Sequence, residues 1–255
     1  MLIRLTRLFM AVSSLMLPAT ITASAADLVV ISSQNMRTFF PKVADQIEQR
    51  IGGKLVIEYA EAVPAKEKVL NGGKADVAIN LKSLVHELSD RKLVVSGSEQ
   101  DFARSEVSVV AKAGSDMPDI ATPQAFRSAL LKAKSIAYTD PKAGGASGLA
   151  MAQLLDRLGI RQDVDAKAKL TSGGAAFLPL VVSGEAELGI TQKTIAMGKP
   201  GIVIVGPIPR ELEGDLIYSA GQTTTASNPE GAQTILKFLT TPEAKSALKE
   251  AGLLD

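Results

Sequence analysis

The stretch Tyr138-Thr139-Asp140-Pro141-Lys142-Ala143-Gly144-Gly145-Ala146-Ser147-Gly148 reads as a strand that ends in a glycine-rich turn and opens directly into a helix. A chain with such a unit must supply a sheet for the strand and a face for the helix to cover, so it constrains the surroundings to an α/β layout. The first N–H groups of a helix have no intrahelical partner, and the positive end of the macrodipole lies there, so this turn has the chemistry of an anion site. Gly and Ser are also ordinary turn residues. What the turn does therefore depends on what the rest of the chain sets beside it.

Read in order, the chain alternates strands and helices. Asp27-Leu28-Val29-Val30-Ile31-Ser32 is a continuous apolar run of buried-strand type that ends in Ser32-Ser33-Gln34-Asn35. Met36, Phe39, Phe40, Val43, Ile47 and Ile51 then recur at helical spacing. Pro41 falls inside that pattern and predicts a loose opening turn before a regular segment to Arg50. Strands are expected over 54–59, 76–80, 106–112, 135–139, 167–170, 201–205 and 215–220, and helices over 62–70, 122–133 and 175–182, with a further helix after the glycine turn that carries Met151, Leu154, Leu155 and Leu158 on one face and stops at Gly159. Asn228-Pro229-Glu230 and Thr241-Pro242-Glu243 start two terminal helices, each with a capping side chain, a proline at the first helical position and an acid in the first turn. Val69 to Asn80 is echoed by Val181 to Thr191, each a helix end, a glycine cap, an acidic residue and a short apolar strand. The echo points to two related lobes. Ligands of open α/β sheets bind beyond the carboxyl ends of the strands, where this sequence places Ser32-Ser33, Asn80, Tyr138 to Ser147, Gly173-Gly174 and Thr191-Gln192.

Residues 1–25 read as a secretory signal peptide: Arg4 and Arg7, the apolar run Leu8 to Leu17, and the small-residue cleavage site Ala23-Ser24-Ala25. Export into the periplasm follows, and the absence of cysteine argues against a lipid anchor as well as against disulfides and thiolate chemistry. Setting Arg4 and Arg7 aside leaves 26 Lys+Arg against 27 Asp+Glu, a net charge of −1, which argues against nucleic acid as partner and against insertion into a membrane surface. The only histidine, His86, lies in a helical stretch far in sequence from every serine-glycine turn, and no spaced cluster of metal ligands is present. The expectation is a non-enzyme without metal or cofactor.

Several segments carry a family resemblance. They are Ile31-Ser32-Ser33, Gly72-Gly73-Lys74-Ala75-Asp76-Val77, Ala103-Arg104-Ser105, Ser135 to Pro141, Gly184 to Gln192 and Phe238-Leu239-Thr240-Thr241-Pro242-Glu243-Ala244. In this order and spacing the chain resembles the periplasmic solute-binding proteins of ABC importers, and among them the molybdate-type family. The resemblance implies a type II periplasmic-binding-protein fold: two lobes, each a mostly parallel sheet flanked by helices, joined by crossing strands. It places lobe 1 at 26–104 plus 219–255 and lobe 2 at 105–218. It also implies a monomer that closes on a small anion and delivers it to a membrane permease; a sensor or other transporter as recipient, or an enzyme on the same fold, is the alternative.

The expected ligand-binding set is Ser32, Ser33, Asn80, Arg104, Tyr138, Gly145, Ala146, Ser147, Gly174 and Thr191. Ser32 or Ser33 matches the serine that molybdate-binding relatives place in the first loop. Their second serine has no counterpart in Ala60-Glu61-Ala62-Val63-Pro64, where Glu61 would repel an anion if it pointed inward. Arg104 is either a fork for a carboxylate or an ordinary surface or interlobe salt bridge. Tyr138 is either a core aromatic or a cleft hydroxyl. The ligand is thus a molybdate-like oxyanion or a small organic carboxylate.

Overall fold

The computed structural model describes residues 27–173, 175–212 and 215–253. The expected signal peptide and Gly174 lie outside them. Strand β1 (Leu28–Ser33) runs into two 3-10 turns, Gln34–Thr38 and Phe40–Lys42, before the helix α1 (Ala44–Ile51). Pro41 has no N–H for the helical ladder, which accounts for the broken start, and Gly52 closes α1 in the left-handed region at φ 68°. β2 (Leu55–Ala60), α2 (Ala62–Leu70), β3 (Val77–Leu81), α3 (Lys82–Asp90) and β4 (Gln100–Ser105) follow. Next come β5 (Val107–Lys112), α4 (Pro123–Lys132), β6 (Ile136–Thr139), a 3-10 turn at Pro141–Ala143, α5 (Ala146–Leu158), α6 (Arg161–Asp165), β7 (Ala168–Thr171), α7 (Leu178–Ser183), β8 (Leu188–Gln192), α8 (Lys193–Ala196) and β9 (Ile202–Pro207). β10 (Leu216–Gln222), α9 (Pro229–Leu239) and α10 (Pro242–Glu250) end the chain.

Three elements go beyond the sequence expectations. β4 is an edge strand that begins Gln100-Asp101, without an apolar alternation to announce it. α6 and α8, with five and four residues, are too short to show a helical period. The glycine turn also differs in detail, since the 3-10 turn at Pro141–Ala143 stands between β6 and α5. The capping expectations hold: the side chains of Thr122, Asn228 and Thr241 accept from the N–H groups of Ala125, Gly231 and Ala244 at 3.1, 2.9 and 3.3 Å, each ahead of a proline.

Two five-stranded sheets result, in the orders β2-β1-β3-β10-β4 and β7-β6-β8-β5-β9. In each, two parallel pairings at one end meet two antiparallel pairings at the other. Four strands of each sheet therefore run one way and a single strand, β10 or β5, runs against them. The orders are equivalent, with β1, β2 and β3 in the positions of β6, β7 and β8. The chain changes sheets twice, from β4 to β5 and from β9 to β10.

Side-chain alternation along β1 builds a core on both faces of the first sheet. Leu28 and Val30 join Ile47, Ile79 and Ile235 on one face, while Ile31 packs with Ala65, Val69 and Leu88 on the other. In the second sheet Ile136 and Tyr138 face α4 and α5 through Phe126, Leu130 and Leu154, whereas Ala137 and Val110 pack on Phe177 and Val181. Each fully buried Leu, Ile, Val or Phe side chain contributes about 1.5–3 kcal/mol. Phe102, Val107, Ile208 and Leu216 continue the first core from one sheet to the other.

Asp76 ties three parts of the first sheet together. Fully buried, its carboxylate accepts from the backbone N–H groups of Val29 at 2.7 Å and Asn228 at 2.8 Å and from the Ser227 hydroxyl at 3.1 Å. It thereby fixes the start of β1 and the cap of α9 to β3. Asp76→Ala leaves those donors without a partner and should cost about 3 kcal/mol or more. Thermal unfolding should then show Tm lowered by roughly 6 °C or more, given about 2–4 °C per kcal/mol for a chain of this size. An unchanged Tm would refute the role of Asp76 as a clamp.

Candidate functional site

The carboxyl ends of both sheets face a common cavity of about 270 Å³. Gln34, Asn35 and Thr38 reach it from the turn after β1, Glu61 from the end of β2, and Thr139 from the end of β6. Gly145, Ala146 and Ser147 contribute the start of α5, Gln192 the end of β8, and Ala175, Thr194, Ile195 and Lys199 the remaining wall. A groove of about 850 Å³ opens elsewhere along the seam, past Lys82, His86, Asp101, Gln153 and Arg157. Its charges are largely spent on one another: Lys82 pairs with Asp101 at 2.6 Å, and Asp101 also accepts from Ser219 at 2.5 Å. The smaller cavity, with polar groups from both sheets converging on it, is the candidate site.

The glycine turn forms one wall. Gly145 caps α5, a helix of 13 residues, with φ −74° and ψ 145°, and its carbonyl accepts from Leu149 N–H at 3.1 Å. The N–H groups of the residues between them stand at the positive end of the helix. Gly148 lets this first turn press on β6, because a Cβ there would lie 2.6 Å from the Thr139 carbonyl oxygen. The hydroxyls of Thr139 and Ser147 are 3.3 Å apart and buried. Gly144, at φ 73°, makes one contact between the lobes: its carbonyl accepts from Val63 N–H in the first turn of α2 at 2.9 Å. A Cβ on Gly144 would stand 2.8 Å from the Val63 Cβ, so glycine serves both the backbone angle and the close approach.

Glu61 faces this turn. Its Oε2 lies 3.1 Å from the position a Cβ on Gly145 would take, and burial pushes its carboxyl above the usual glutamate range. Of the described residues lining the cavity, Glu61 is the one acid and Lys199, exposed at the rim, the one base. Behind the wall, the buried Tyr218 hydroxyl takes hydrogen bonds from Asn35 Nδ2 at 2.5 Å and Gln192 Nε2 at 3.0 Å. The Oε1 of Gln192 is buried without a partner. The cavity thus offers hydroxyls, amides and a helix N-terminus, with one poised carboxyl among them.

The expected residues divide. Gly145, Ala146 and Ser147 line the cavity, and Gly174 lies outside the described residues beside the lining residue Ala175. Ser32 and Ser33 are buried at the end of β1, just below it; Ser32 donates to the Ser33 carbonyl at 3.2 Å and the Ser33 hydroxyl is unpartnered. Thr191 is buried one residue short of Gln192, and strand alternation turns the two to opposite faces. Asn80 spends its amide on the Ala62 carbonyl at 2.7 Å and the Leu81 N–H at 2.8 Å, which holds the start of α2 and hence Glu61. Arg104 lies away from the cavity, 3.6 Å from Asp215, so its interlobe salt bridge is the alternative realised. Tyr138 points into the α4–α5 face and donates to Asp165 of α6 at 2.8 Å, the core alternative. The polar lining residues Gln34, Asn35, Thr38, Glu61, Thr139, Gln192, Thr194 and Lys199 are not in the expected ligand-binding set. Gln34-Asn35 directly after β1 and Gln192 directly after Thr191 were the available signals, since both are polar residues at strand ends.

Among the described residues no group of His, Cys, Asp or Glu is arranged to hold a metal, and no helix is long and apolar enough to cross a membrane. The chain is 29% identical to an aconitate isomerase of a Pseudomonas species, over 96% of this chain and 95% of that protein. The periplasmic molybdate-binding protein of Azotobacter vinelandii superposes with a TM-score of 0.69 at 20% identity, covering 89% of this chain and 99% of the other. A sulfate-binding protein of Mycobacterium tuberculosis H37Rv gives 0.72 at 14% identity, covering 89% and 86%. These likenesses match the two-sheet, type II periplasmic-binding-protein architecture described above. Residues 28–254 match the family of bacterial extracellular solute-binding proteins, and the chain belongs to that family.

Proposed function

We propose that this protein is the periplasmic solute-binding component of an ABC importer and that it captures a small organic carboxylate in the cavity between its sheets. The observation that carries the reading is the N-terminus of α5, set with Ser147 and Thr139 against amides from the opposite lobe. A helix N-terminus contributes up to ~2 kcal/mol toward an anion, and each hydrogen bond to a charged group about 1.5–3 kcal/mol. Four such bonds and the helix end supply the ~8 kcal/mol of micromolar binding with a margin for ordering the ligand. Lobe closure brings Gly144 onto α2 and completes the wall, a hinge motion of a well-attested kind.

Glu61 decides between the two anion classes. A fully ionised tetrahedral oxyanion has only acceptors and would meet a second acceptor in Glu61. An organic acid can place a hydroxyl or protonated carboxyl there, or be met by Glu61 in its protonated form. The relative named aconitate isomerase lends weight to a carboxylate, aconitate being an unsaturated tricarboxylic acid. A second reading, isomerisation of the bound acid, is favoured by the same side chain, because a half-buried carboxyl with a raised pKa could take a proton from one carbon and return it to another.

A thermal-shift screen with citrate, cis- and trans-aconitate, molybdate and sulfate should show Tm raised by carboxylates above the oxyanions. Stabilisation by neutral sugars or amines alone would sink the anion reading. NMR of cis-aconitate held with the purified protein separates the two readings: appearance of trans-aconitate identifies an isomerase, and an unchanged spectrum a binder. Because burial raises the Glu61 carboxyl, its protonated form gains population as pH falls, and an adjacent anion adds to that shift. Carboxylate affinity of the unaltered protein should therefore rise more steeply as pH falls than that of Glu61→Gln, measured by calorimetry. Parallel pH profiles would remove Glu61 from the site.

A further inference from the structure

Tyr218 stands on β10, fully buried, and its hydroxyl lies behind the two amides that line the cavity from opposite lobes. Asn35 belongs to the turn after β1 and Gln192 to the end of β8, so one oxygen atom joins the first sheet to the second directly beneath the site. The hydrogen bonds at this point are unbalanced. Both neighbours approach the phenol through their NH₂ groups, at 2.5 and 3.0 Å, while burial pushes the phenol pKa far up and keeps its proton in place. The phenol proton then lacks an acceptor among these partners, although Gln192 Oε1, on a side chain only 1% exposed, has none of its own. A half-turn of the Gln192 amide lets Tyr218 donate to Oε1 and releases the NH₂ group of a residue that lines the cavity. An unmade buried hydrogen bond costs about 1–3 kcal/mol, and without a ligand the turn only exchanges an unpartnered oxygen for an unpartnered NH₂ group, so the empty site gains little from it. An anion in the cavity favours the turn, because it supplies the acceptor that the released NH₂ group of this lining residue then lacks.

We infer that Tyr218 is a positioning residue for ligand capture: its hydroxyl sets the orientation of the Gln192 amide and, by clasping Asn35 as well, links that orientation to the closure of the lobes. The inference rests on the anion reading of the site. Tyr218 acts from behind and touches no ligand itself. Its phenyl ring packs in the core, so Tyr218→Phe keeps the packing and removes only the hydroxyl.

Calorimetric titration with citrate, trans-aconitate and molybdate of the unaltered protein, Tyr218→Phe, Gln192→Leu and the double variant tests it, with Tm measured for each. Gln192→Leu should weaken the anion that binds by roughly 10-fold or more, the loss of one hydrogen bond to a charged group. Tyr218→Phe should weaken it several-fold alone and add nothing in the Gln192→Leu background, whatever its effect on Tm. Equal weakening by Tyr218→Phe in both backgrounds, or none in either, would overturn the positioning role. If Gln192→Leu does not fold, Gln192→Met, of similar length, replaces it. Failure of the unaltered protein to bind any of the three overturns the anion reading and this inference with it, whereas tight binding with additive variants overturns the inference alone.

Discussion

Two changes of sheet along the chain, from β4 to β5 and from β9 to β10, set the geometry on which the rest depends. They deliver β5 and β10 as the single reversed strand of each sheet, so that the carboxyl ends of the remaining strands point at one another across a seam. Apolar packing of Phe102, Val107, Ile208 and Leu216 supports these passages, and the Arg104–Asp215 pair bridges them from the surface. Half exposed, that ion pair adds little stability by itself.

The equivalence of the two sheets explains why the cavity has matching walls. The turn after β1 brings Gln34, Asn35 and Thr38, and the turn after β6, in the equivalent position, brings Gly145, Ala146 and Ser147. The end of β2 supplies Glu61, and the segment after β7 supplies Ala175. The walls differ in chemistry. One presents the N-terminus of a 13-residue helix, while its counterpart is a 3-10 turn interrupted by Pro41, so the stronger pull on an anion comes from the second lobe. Amide and carboxyl side chains of the first lobe face it.

Glu61 and Tyr218 show how a site can be tuned from different depths. Glu61 sits at the surface of the cavity, where partial burial and a neighbouring helix end act on it in opposite directions. Burial disfavours its charge, and the positive end of α5 favours it. Tyr218 lies one layer deeper and has no choice of protonation state. Its influence is geometric, through the amides it holds. Asn80 has a similar character, since both ends of its amide are spent on fixing the first turn of α2 behind Glu61.

The sequence by itself determined the alternation of strands and helices, the caps at Thr122, Asn228 and Thr241, the glycine turn, and the two-lobed architecture. Those features are written in short-range patterns: alternation, helical spacing, and residues whose backbone preferences act locally. It also placed Gly145, Ala146 and Ser147 at a strand-to-helix turn, because the geometry of that turn is local. What only the tertiary structure decided was which polar side chains reach the cavity. Tyr138 and Arg104 each had two sequence-compatible roles, and contacts with residues distant in the chain, Asp165 and Asp215, hold them away from the cavity. Thr191 and Gln192 are neighbours in sequence, yet the facing of a strand, set by its partners in the sheet, sends only Gln192 into the cavity. Tyr218 lies 183 residues from Asn35, and no local pattern could announce that their side chains meet. The fold follows from periodicity along the chain; the membership of the site follows from long-range packing, which a one-dimensional pattern does not record.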